Sequence, residues 1–187
     1  EELLKAVIEK TGIPAAWTIL GLSALPSDHP LNVGMLGMHG NYGPNILTNE
    51  CDVLIAIGMR FDDRVTGNLA TYAKQAKVIH FEIDPAEVDK NVKTDVAVLG
   101  DVKESLAALL PLVEAKSHEA WHNEFKEKYK IELESVINDE LNPKGEGISM
   151  GETIEMINKH SNGDAIMVSD VGQHQMWAAQ YYKFEEP

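Results

Sequence analysis

The segment RFDDR, residues 60–64, sets two arginines and two aspartates around Phe61, directly after the apolar run VLIAIG at 53–58. Two chemistries suit such a cluster. Arg60 and Arg64 can neutralise a pyrophosphate through charge-assisted hydrogen bonds; alternatively, the four charges pair with one another and tie down a loop. Two further apolar runs also finish in acids, VIHFEID (78–84) in Glu82 and Asp84, and VAVLGD (96–101) in Asp101. At the carboxyl end of a parallel strand, such a carboxylate can accept hydrogen bonds from ribose hydroxyls while nearby backbone reads an adenine edge. The stretch GMLGMHGNYGPN (34–45) spaces glycines three apart, at 34, 37, 40 and 43, and carries His39 and two methionines. Glycine lets backbone approach a ligand closely, and methionine gives a flat ring a soft apolar surface. The spacing is not GxGxxG, and on pattern alone the stretch reads equally as a set of turns, with His39 an ordinary loop histidine. In SDVGQHQMW (169–177), Gln173 and His174 fall near an expected helix N-terminus, where open N–H groups and the helix dipole favour anions. A plain polar first turn fits the same residues.

The elements that must carry these residues alternate between short apolar runs and helical patterns, which points to βαβ units and an open, Rossmann-like parallel sheet flanked by helices, an α/β fold. Strands are expected at 13–20, 53–58 (buried on both faces), 78–84 and 96–101. Helices are expected at the N-terminus, with Leu3, Leu4, Val7 and Ile8 on one face before Thr11-Gly12, and at 102–114, with Leu106, Leu109, Leu110 and Val113 on one side. Trp121, Phe125, Tyr129 and Leu133 recur every four residues in a charged stretch, an amphipathic helix expected to pack against a neighbouring domain. NPKGEG (142–147) reads as a linker. After it come a helix in SMGETIEMINKH, a buried strand AIMVSD (165–170) and another helix. The expected division is 1–115 as one α/β domain, 116–147 as a helical connection, and 148–187 as the start of a second α/β domain.

A net charge of −14 over 187 residues argues against nucleic acid and anionic membrane surfaces, which require clustered Lys and Arg. No apolar run reaches the roughly 20 residues of a membrane helix, and the charge distribution suits a soluble cytoplasmic protein. The single Cys51 has no internal disulfide partner and is expected as a buried structural thiol. No zinc spacing, Walker loop or GxSxG elbow occurs. The chain starts inside a helical pattern without Met and stops within a new element, the expectation for a piece of a longer protein.

Taken in order, GMLGMHG, GMRFDDRVTG, HFEIDPAEVDKNV, GDVK and SDVGQHQMWAAQYY resemble the catalytic large subunits of the acetohydroxyacid synthase (acetolactate synthase) family of thiamine-diphosphate enzymes. The resemblance runs over nearly the whole chain and is weakest between 115 and 160. It implies the central FAD-binding domain, without its first strand or so, followed by the opening of the pyrophosphate-binding domain. It further implies condensation of pyruvate with pyruvate or 2-oxobutyrate in branched-chain amino-acid synthesis, using thiamine diphosphate, Mg2+, and FAD held without net redox turnover. A homodimer or tetramer with a small regulatory subunit is implied as well. By motif, Met38, His39 and Gly40 would lie by the flavin and the mouth of the substrate channel. Arg60 and Asp63 would contact FAD, and Arg64 would face the channel. Glu82 and Ile83 would hold the ribose and adenine side, where the family more often has Asp at position 82, and Asp101 would lie near the adenine. Gln173 and His174 would touch the thiamine diphosphate phosphates. The family's catalytic glutamate and metal ligands correspond to no residue here, so the chain alone is expected to be inactive. Two rivals stay open: a pyruvate oxidase or glyoxylate carboligase of the same superfamily, and a non-catalytic nucleotide-binding module.

Overall fold

Helix α1 (Glu2–Thr11) forms because Leu3, Leu4, Val7 and Ile8 give it one apolar face, and Val7 and Ile8 are buried. It stops at Gly12, whose φ of 66° closes the helix through its N–H to the Ile8 carbonyl; a Cβ there would sit 2.6 Å from the Lys116 carbonyl oxygen. This is a glycine cap of the left-handed kind. The computed structural model describes residues 1–185, so Glu186 and Pro187, the end of the expected second domain, lie outside it.

The chain continues through β1 (Ala15–Trp17), a 3-10 turn (Ile19–Gly21), β2 (Asn32–Met35) and α2 (Tyr42–Leu47). Next come β3 (Val53–Ile57), the short α3 (Asp63–Thr66), β4 (Lys77–Glu82), β5 (Val96–Leu99) and α4 (Val102–Leu109). The long α5 (Glu119–Glu132) passes through a π-type turn at Leu133–Ile137 into α6 (Asn138–Leu141), and α7 (Met150–Ser161) and α8 (Gln173–Tyr181) follow. Every strand pair is parallel, as the alternating pattern predicts, but the strands form two sheets. One pairs β1 with β2, and the other runs β3-β4-β5. An apolar cavity of about 740 Å³ lies between the free edges of β1 and β3, lined on its sides by α1, α4 and α5.

That division corrects several expectations. Residues 13–20 hold only a three-residue strand and then a 3-10 turn. β3 is not buried on both faces, since Val53 and Ile55 are exposed at an edge; the central strand β4 is the buried one, with Val78, His80, Phe81 and Glu82 all inside. Residues 165–170 form no strand at all, and Ile166 and Val168 are 94% and 89% exposed. β2 and α2 went unread because Gly34, Gly43 and Pro44 mask their periodicity. The aromatic face of α5 packs on α2, where Phe125 comes against Gly43, and His122 Nε2 donates to the Gly12 carbonyl at 2.9 Å.

Among the described residues two apolar clusters form. Ala56, Phe61, Tyr72, Ala73 and Val78 pack beneath the three-stranded sheet, and Ile154, Ala178 and Tyr182 pack between α7 and α8.

Candidate functional site

Register brings the predicted residues together. Strand β3 pairs with β4 from Val53 opposite Lys77 to Ile57 opposite Phe81, and the ladder continues through Gly58 N–H to the Phe81 carbonyl at 2.9 Å. On the other side, Gly100 N–H donates to the Glu82 carbonyl at 3.0 Å. Arg60, Glu82, Ile83 and Asp101 therefore sit level on three adjoining strand ends, the edge where open parallel sheets place ligands.

Each side chain has its own cause. Phe61 is 2% exposed and takes φ 52°, a left-handed conformation that costs a bulky residue roughly 1–2 kcal/mol. Its ring packs edge-on to Tyr72 and His80 in the core, and burial of that size offsets the strain by roughly 1.5–3 kcal/mol. The kink turns the chain outward, so Arg60, Asp63 and Arg64 are exposed although the residue among them is buried. Asp62 caps α3 by accepting the Arg64 N–H at 3.0 Å, and its other oxygen lies a loose 3.9 Å from Arg60 Nε. The four charges thus share one long pair rather than a closed network.

Glu82 is 8% exposed and accepts the N–H groups of Ile83 (2.9 Å) and Asp84 (3.1 Å) through Oε1, while Oε2 lies 3.7 Å from His80 Nε2. Asp101 caps α4 through Oδ1, accepting from Lys103 N (2.8 Å) and Glu104 N (3.3 Å). Both carboxylates keep an oxygen for a further donor. Ile83 is 69% exposed beside them, an apolar side chain free to lie against a flat ring.

The glycine stretch is fixed from three directions. Asn41 Oδ1 accepts Met35 N–H and Asn45 Oδ1 accepts Gly37 N–H, which satisfies turn backbone from short amide side chains. Met38 N–H donates to the Arg64 carbonyl at 2.7 Å, and Gly37, at φ 103°, approaches so closely that a Cβ would sit 2.7 Å from that oxygen. The GMLGMHG and RFDDR segments, separate in sequence, are therefore hydrogen-bonded neighbours, and Met38, Asp63 and Arg64 line a cavity of about 410 Å³. From the far side, Glu132 at the end of α5 accepts from Asn41 Nδ2 (3.2 Å) and Tyr42 N (3.1 Å). Gln180 of α8 donates to the His39 carbonyl at 2.5 Å. Met38 and His39 are exposed, and Gly40 packs against the Met35 carbonyl with no room for a side chain.

Gln173 and His174 lie exposed in the first turn of α8, apart from the sheet edge. Gly172 supplies no side-chain cap to α8, and the Gln175 N–H closes on the Gly172 carbonyl at 3.2 Å. Among the described residues no group of three His, Cys, Asp or Glu side chains could hold a metal ion, and no helix is long and apolar enough to cross a membrane. Burial and the adjacent Asp52 push the Cys51 thiol up. Burial does the same to Tyr72, whose hydroxyl has no partner among the described residues. Asn41, Asn45, His80, Asn91 and Glu132 were not singled out from sequence; for the asparagines, their place beside turn glycines was the available signal.

The site is thus a parallel sheet of an α/β domain with acids and arginines on its carboxyl edge, hydrogen-bonded to a glycine-rich loop. The profile of the thiamine pyrophosphate enzyme central domain matches residues 1–109, and the chain belongs to that family. Over 98% of its length it is 44% identical to the acetolactate synthase large subunit of Lactococcus lactis, covering 31% of that protein. It is 40% identical to acetolactate synthase 2, chloroplastic, of Zea mays, covering 29% of it, and 43% identical to the acetolactate synthase large subunit of Parasynechococcus marenigrum, also covering 29%. The chain thus spans about three tenths of the length of the curated relatives it matches.

Proposed function

We propose that this chain is the FAD-binding central portion of a thiamine-diphosphate-dependent acetolactate synthase that condenses pyruvate with pyruvate or 2-oxobutyrate. The observation that carries this is the level placement of Arg60, Glu82, Ile83 and Asp101 on adjoining parallel strand ends, beside Met38 and Arg64. The donor set fits FAD. Arg60, with its side chain largely exposed and only a 3.9 Å carboxylate contact, is available to a pyrophosphate. Asp63 contacts the same part of the nucleotide. The open oxygens of Glu82 and Asp101 suit ribose and adenine groups, and Ile83, Met38 and His39 face the rings, with Gly40 beside them letting the loop close on the Met35 carbonyl. Arg64 faces the substrate channel.

Gln173 and His174, in the first turn of α8, would hold the phosphates of thiamine diphosphate together with Mg2+ ligands supplied elsewhere. Thiamine diphosphate supplies the carbon-bond-forming chemistry; these residues only bind and orient it. We place the boundaries at 1–115, 116–147 and 148–187, with the assembly a homodimer or tetramer joined by a small regulatory subunit, in the cytoplasm. The resemblance in sequence order and the similarity to acetolactate synthases support this reading over an oxidase or a freestanding nucleotide module.

The test is an acetolactate assay on the full-length protein with thiamine diphosphate and magnesium, with and without FAD. Pyruvate-dependent flavin reduction with no acetolactate would return the oxidase reading. Asp63→Ala in that protein is expected to weaken FAD binding about tenfold, the loss of one charged hydrogen-bonding group; unchanged affinity would make RFDDR a structural loop.

A further inference from the structure

The fully buried His80 plays no part in the binding set above, yet it touches both of its halves. Its Nε2 donates to the Met59 carbonyl at 2.9 Å, directly before Arg60. The same nitrogen lies 3.7 Å from Glu82 Oε2, and the imidazole packs edge-on to Phe61, with centroids 5.1 Å apart at 72°. A carbonyl can only accept, so Nε2 carries the proton and Nδ1 presents a lone pair. Among the described residues Nδ1 is buried without a partner. A hydrophobic residue would fill this space without leaving an unsatisfied nitrogen. The ring is therefore positioned for what Nε2 does. Asn91 Nδ2 donates to the Phe61 carbonyl at 3.0 Å. His80 and Asn91 together clamp the left-handed residue that turns Arg60 and Asp63 outward.

We infer that His80 is a positioning residue for the nucleotide site, holding the Met59–Phe61 kink of one strand end through its Nε2–H to the Met59 carbonyl and its ring against Phe61, beside the Glu82 carboxylate of the same sheet edge. The inference rests on the FAD reading for its purpose, though not for its geometry. His80→Phe keeps a ring and removes the donor, whereas His80→Gln keeps a donor near the Nε2 position.

In the full-length enzyme, two readouts separate the cases. The first is amide exchange of the flavin-free protein by mass spectrometry. Here H80F is expected to accelerate exchange over residues 60–64 about tenfold, the weight of one ordinary hydrogen bond, with H80Q close to native. The second is FAD titration by flavin fluorescence, where H80F is expected to weaken binding about tenfold and H80Q to restore most of it. Native exchange in H80F overturns the inference, as does accelerated exchange with unchanged FAD affinity. Equal losses in H80F and H80Q mean that restoring a donor does not restore the site, and they overturn it too. A native enzyme that binds no FAD sinks the functional reading instead, and the exchange result still decides whether His80 holds the loop.

Discussion

Residues 53–57 and residues 165–168 are both short apolar runs ahead of a polar turn and a helix, and their environments differ sharply. The first, VLIAI, lies against β4 in a five-residue parallel register that holds Ala56 in the core. The second, AIMV, has no ladder, with Ile166 94% and Val168 89% exposed, and of its residues Met167 packs on the α7–α8 core. Strand-forming composition is shared. A neighbouring strand in the right register is not, and sheet stability comes from cross-strand contacts rather than from residue preference.

The comparison can be broken at its strongest point first. Phe61→Ala should destabilise the sheet half by about 3–5 kcal/mol, the usual cost of emptying a buried aromatic site, read by urea unfolding. Ile166→Ser in the 187-residue chain should change stability by no more than about 0.5 kcal/mol, as exposed positions do. A cost of about 2 kcal/mol or more would mean that residue 166 is buried. Asp101→Ala removes the cap of α4 and should cost about 1 kcal/mol, seen as a lower unfolding midpoint, while the equivalent change at the uncapped start of α8 has nothing to remove.

The smallest effect concerns alkaline pH. Tyr181 is pushed up to about 12, first by burial and then by the charges of Glu140, Glu132 and Tyr129. Its folded value stands above the ordinary 10, so the neutral phenol favours the fold fully below pH 10. That contribution fades as pH rises toward 12, and partial exposure keeps it small. Tyrosinate absorbance of the folded protein, compared with the unfolded chain, checks the order of the two midpoints.

Local periodicity carried much of the fold. The faces of α1 and α4 and the alternating parallel order follow from apolar spacing that neighbours satisfy nearby. What sequence left unread depends on distant partners. Glu132 clamps Asn41 across a separation of 91 residues, and nothing local in α5 marks that glutamate from its acidic neighbours. The expectation that 53–58 is buried on both faces failed because burial belongs to a strand's place in the sheet, and β3 holds an edge. The strand-end acids were legible by type, but their use as caps was not: Asp101 and Asp62 fasten the helices that follow them. The positive φ of Phe61 had no signal, since a bulky residue is an unusual choice for it.

The edges of β1 and β3 that face the apolar cavity have a practical consequence. Unpaired strand edges beside exposed valine and isoleucine are templates for other chains. Produced as an isolated polypeptide, this chain should associate and fall out of solution as its concentration rises, despite its fourteen net negative charges. A lysine at Val53 or Ile55 would guard the rim as natural edge strands do, making solubility a property set by two residues.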